Sequence, residues 1–157
     1  MTRLAYRGDD YPAASKKHLD DARALVDAGR HVGCAYLAGY VVECALKSVL
    51  LYEASWDPRT RGYDQQRLGD EQERVRQFGH DLRDLFDELT RVSARATVRS
   101  SRYVPNLPHH AAIRCWQASL RYRPYNYLES SHAREMLKDA RNVYKQTIER
   151  MASDQVL

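Results

Sequence analysis

The sequence predicts an all-α protein, an up-and-down bundle of about five helices in one domain over residues 1–157. Three observations lead there. No segment of strand length alternates apolar and polar residues. Apolar residues instead recur at three- and four-residue spacing along much of the chain. Proline and glycine interrupt that pattern at helical intervals.

After "GDDYP" a first helix is expected from about Pro12 to Gly29, with Asp10 as N-cap and Leu19, Ala22, Leu25 and Val26 on its apolar face. A second, from about Arg30 to Glu53, is apolar round most of its circumference, which marks the central buried helix. Gly33 and Gly39 inside it suggest close approach of a neighbour. Residues 54–78 are polar, hold Pro58, Gly62 and Gly69, and read as a long excursion with one helical turn. A third helix is expected over about His80–Ser100, a fourth over Pro108–Leu120, and a fifth over Glu129–Met151.

Composition narrows the function classes. No run of eighteen apolar residues and no signal-peptide core is present, so the expectation is a soluble, cytoplasmic protein with no membrane partner. Cys34, Cys44 and Cys115 form no CxxC pair and no zinc spacing, so reduced thiols, no metal and no cofactor are expected.

The net charge of +4 is unevenly placed. Residues 1–78 balance 12 basic against 12 acidic side chains, while residues 79–157 hold 13 against 9. From Arg91 to Leu128 there is no acid and no lysine, but seven arginines: Arg91, Arg95, Arg99, Arg102, Arg114, Arg121 and Arg123. Tyr103, Trp116, Tyr122, Tyr125 and Tyr127 are interleaved with them. Arginine among aromatic rings suits RNA or a nucleotide, where guanidiniums meet phosphate and rings meet bases. On a continuous helix Arg91, Arg95, Arg99 and Arg102 would form one basic stripe. The plain reading of the same segment is a solvated basic face.

"YLAGYVVECALK" (Tyr36 to Lys47), "GHDL" (Gly79 to Leu82) and "RYRP" (Arg121 to Pro124), followed by an amphipathic last helix, resemble the HEPN domains of prokaryotes over roughly Ser15 to Arg150. The resemblance implies a helical bundle that dimerises through its long helices around a cleft. It also implies work beside a minimal nucleotidyltransferase in toxin-antitoxin or phage-defence modules. Many such domains are metal-independent ribonucleases that use an arginine and a histidine four to six residues apart near the last helix. Others bind nucleotides or are structural. Here eight residues separate Arg123 from His132 and ten separate Arg121 from His132, so the spacing departs from the ribonuclease pattern.

The candidate residues follow. Arg121, Arg123 and His132 are the catalytic candidates. Arg91, Arg95, Arg99, Arg102, Tyr122, Tyr125 and His80 are candidates for binding RNA or nucleotide. His80 also reads plainly as part of a "GHD" helix start. Glu43 and Lys47, four apart on the apolar second helix, form either a structural ion pair or a brace in which Glu43 orients an arginine of the "RYRP" turn. Three functions remain open: an RNA- or nucleotide-binding homodimer, an endoribonuclease with an atypical Arg/His pair, and a scaffold that docks an acidic protein.

Overall fold

The computed structural model describes residues 1–95 and 100–157. Asp10 caps α1 (Tyr11–Asp27) by accepting from the Ala13 amide at 3.1 Å, and Pro12 sits in the first turn where no amide hydrogen is needed. Gly29, with φ near +71°, turns the chain into α2 (His31–Ser55). This helix is buried nearly all round, because α1, α3 (Gln65–Gln77), α4 (Leu82–Ser93) and α5 (Ser130–Tyr144) all pack against it. By length and composition alone α2 could cross a membrane, yet 83% of its most apolar window is packed inside the protein. The last helix continues through a π turn (Lys145–Glu149) and ends with Arg150–Ser153.

The all-α expectation holds, and among the described residues five helices form the bundle, but they are not all the expected five. Residues 54–78 fold into a minimal hairpin, β1 (Trp56–Asp57) against β2 (Gly62–Tyr63), and then into α3. Asp64 caps α3, and only Leu68, Gly69, Gln72 and Val75 are buried. So thin an apolar stripe is hard to see in a polar sequence.

The helix expected over Pro108–Leu120 does not form. Short 3-10 turns at Ala112–Cys115 and Ala118–Tyr122 replace it, with Trp116 and Gln117 extended between them. Here Asp139 of α5 accepts from the Ile113 amide (3.2 Å), and Trp116 turns inward against α2. Tertiary contacts have overridden the local helical preference.

The third expected helix is shorter than its pattern. Asp81 caps it and it ends at Ala94. Arg91 therefore lies in its last turn, Arg95 just beyond it and Arg102 in a 3-10 turn (Ser100–Tyr103). Arg91, Arg95 and Arg102 do not lie along one helix, and Arg99 of the expected stripe lies outside the described residues.

Gly39 shows why α2 carries glycine. The Trp116 indole lies directly on it, so a Cβ there would fall within the ring, and the indole Nε1 donates to the Tyr36 carbonyl at 3.1 Å.

Candidate functional site

Tyr36, Tyr40, Glu43 and Lys47 follow the 4-3-4 spacing that places side chains on one helical face. α2 turns this face toward the turn between α3 and α4. Glu43 and Lys47 are only 4% and 3% exposed, yet both are fully engaged. Lys47 Nζ donates to Glu43 Oε1 at 2.8 Å and to the Gly79 carbonyl at 2.9 Å. Gly79 holds φ near +55°, the left-handed region that favours glycine. The second Glu43 oxygen, Oε2, lies 2.9 Å from His80 Nδ1. The pair is structural in that it pins the turn, and the group it orients is His80, not an arginine of the "RYRP" turn.

This geometry sets the imidazole's chemistry. A carboxylate accepts only, so the Nδ1 hydrogen is directed at Glu43 and Nε2 faces away from it. The His80 side chain is 45% exposed and borders a hollow of about 450 Å³ with Arg83, Arg114, Trp116 and Gln117.

Aromatic rings connect His80 to the arginine-rich turn. Tyr40 meets the His80 ring edge-on (centroids 5.1 Å apart) and the Trp116 ring likewise (5.4 Å). Its hydroxyl lies 3.1 Å from that of Tyr36. Burial pushes the Tyr40 phenol pKa far above its usual value. The Tyr36 hydrogen bond adds to this, and the nearby Arg121 charge opposes it weakly. On the far side, Tyr36 borders a second hollow with Arg121, Arg123 and Tyr125.

The turn beyond α2 is open to solvent. Arg121 lies over the Tyr122 ring (4.9 Å) and Arg123 over Tyr127 (4.8 Å), and Tyr122, Tyr125 and Tyr127 are exposed. Arg123 borders a third hollow, of about 270 Å³, with His132, which stands exposed in the first turn of α5. Arg121 does not line that hollow. His132 and His80 line different hollows too.

The remaining arginines are placed differently. Arg91 donates to both Glu88 oxygens at 2.8 and 2.7 Å, and this contact foremost holds the Glu88 carboxyl below the usual range. Arg102 pairs with Asp154 at 3.0 Å. Arg95 borders a hollow with Arg74, Glu71 and Glu88. The acid-free stretch of sequence thus meets acids from elsewhere in the fold at Arg91 and Arg102, while Arg121 and Arg123 pair with no carboxylate among the described residues.

Tyr36 and Tyr40 are absent from the candidates read from the sequence, and Trp116 stands there only as one of the aromatics between the arginines. The 4-3-4 spacing from Tyr36 to Lys47 is the signal that would have found the first two. No group of three or more His, Cys, Asp or Glu side chains able to hold a metal occurs among the described residues.

Comparison with known proteins bears on the whole chain. The family model of the HEPN domain matches residues 11–151. No curated protein and no solved structure compared with the chain matches it. The match covers all five helices and every element of the site, and the chain belongs to the HEPN domain family.

Proposed function

We propose that this HEPN protein binds RNA or a nucleotide through the arginine- and tyrosine-rich face formed by residues 121–127 and α2. The observation that carries the reading is the contrast among arginines. Arg91 and Arg102 are neutralised within the fold, whereas Arg121 and Arg123 are exposed, without acidic partners among the described residues, and set among exposed tyrosines. Guanidiniums in that state suit phosphate, and the rings suit stacked bases. Family membership supports the rest of the reading: a cytoplasmic homodimer that works with a minimal nucleotidyltransferase in a toxin-antitoxin or phage-defence module.

A second reading, a metal-independent endoribonuclease, is favoured by the orientation of His80. With Nδ1 held by Glu43, Nε2 is set to accept the proton of a ribose 2′-hydroxyl. The 2′-oxygen would bond to phosphorus as the 5′-oxygen leaves and takes up a proton, giving a 2′,3′-cyclic phosphate and a 5′-hydroxyl end. An arginine would stabilise the phosphorane charge. His132 beside Arg123 is the competing proton carrier.

The test is incubation of the purified protein with a labelled mixed-sequence RNA, without added metal, followed by native and denaturing gels. A shifted, intact RNA is the expected result. Cleavage lost in His80→Ala, or in His132→Ala, establishes the ribonuclease reading and names its histidine. Neither shift nor cleavage removes both and leaves a scaffold that docks an acidic partner.

A further inference from the structure

Beside the start of α2 lies a hollow of about 390 Å³ whose lining contains no acidic residue. Arg30, Arg121 and Arg123 border it together with Tyr36, Tyr125 and Leu25. None of these three arginines pairs with a carboxylate among the described residues, although Arg74, Arg76, Arg91 and Arg102 all do. Three like charges around one hollow repel each other, and a multiply charged anion relieves that repulsion. α2 adds to the same sign of potential, since no side chain caps its first turn at Arg30.

Size and lining narrow the ligand. The volume is at the small end for ligand cavities and suits about one nucleotide unit. Leu25 and the two tyrosine rings give an apolar wall, and Tyr125 is 81% exposed, open to stack on a base. An internal phosphodiester carries one negative charge. A terminal phosphate carries about −1.5 to −2 and offers three acceptor oxygens, a better match to three guanidiniums. Resting on the reading of an RNA or nucleotide binder, we infer that this hollow holds a nucleotide by its terminal phosphate, whether as a free mononucleotide or as the phosphorylated end of an RNA strand.

The test uses one short labelled RNA in three forms, with a 5′-phosphate, with a 3′-phosphate and with hydroxyls at both ends, and AMP as competitor. A phosphorylated form should bind about tenfold more tightly than the hydroxyl form, as expected for lost charge-assisted contacts. AMP should compete, which marks a free nucleotide as an adequate ligand. Phosphate-dependent binding without AMP competition assigns the hollow to strand ends. Arg30→Ala, at an exposed position, should erase the advantage of the phosphate, bringing the ratio of affinities for the phosphorylated and hydroxyl forms to about one. Equal binding of all three forms, with Arg30→Ala weakening them alike, overturns the inference while the RNA reading stands. No binding of any form, or of AMP, overturns both.

Discussion

Glu43 Oε2 lies 2.9 Å from His80 Nδ1, and the other oxygen of the same carboxylate lies 2.8 Å from Lys47 Nζ. One buried acid thus holds a base of its own helix and an imidazole at the start of another. A paired buried charge gains little over a hydrophobic replacement, so its retention here fits a role in orienting His80.

Glu43→Gln should therefore be costly, because it strands the Lys47 ammonium in a dry site. A loss of about 3–5 kcal/mol is expected in urea unfolding. Replacing both residues, Glu43→Met with Lys47→Met, should restore most of that stability. A single variant as stable as the parent would mean that Lys47 has another counter-charge.

Gly39→Ala should be among the most damaging single-methyl changes in the chain. The new Cβ would overlap the Trp116 indole, which must then leave its place against α2 and its bond to the Tyr36 carbonyl. Overpacking of this kind costs about 1–3 kcal/mol or more. Thermal unfolding with tryptophan fluorescence checks it: a lowered Tm with a red-shifted emission is expected.

His18 should make stability sensitive to mild acid. It is partly buried against Tyr40 (ring centroids 5.5 Å), and its Nδ1 is buried with no hydrogen-bond partner among the described residues. Burial foremost, with Lys17 adding to it, pushes its pKa below the ordinary 6.5. The unfolded chain then binds a proton near pH 6.5 that the folded chain does not, so stability falls as pH drops from 6.5 toward the folded value. Above 6.5 the group contributes no slope. His18→Phe should flatten the unfolding free energy across that window, which chemical denaturation at a series of pH values would measure.

Much of the fold is legible in the sequence because α1, α2 and α5 carry wide apolar faces and clear stops. α3 is not, since four buried positions among polar ones give little periodicity. The segment from Pro108 to Leu120 reads as a helix because its composition permits one. Its real path is set by Trp116 seating on Gly39 and by Asp139 taking the Ile113 amide, both contacts with residues distant in sequence. The site is half legible for the same reason. Glu43 and Lys47 stand out as charges on an apolar helix, but nothing local shows that His80, 37 residues away, completes them. The acid-free segment overstates the free charge, since Glu88 and Asp154 are brought to it by folding.

Arg91 and Arg102 give the control for the binding face. Their guanidiniums are already engaged by Glu88 and Asp154. Arg91→Ala and Arg102→Ala should change RNA affinity by no more than about twofold, within the small effects of surface charges away from a contact. Fluorescence anisotropy with a labelled RNA would record it.

The most direct test of the central claim is the salt dependence of RNA binding by the parent protein and by the Arg121→Ala, Arg123→Ala double variant. If the two arginines contact phosphates, affinity should fall steeply with salt in the parent. The slope of log K against log salt should flatten in the double variant by about 0.7 for each contact removed from single-stranded RNA. An unchanged slope with unchanged affinity would contradict the account and place any RNA on another face of the protein.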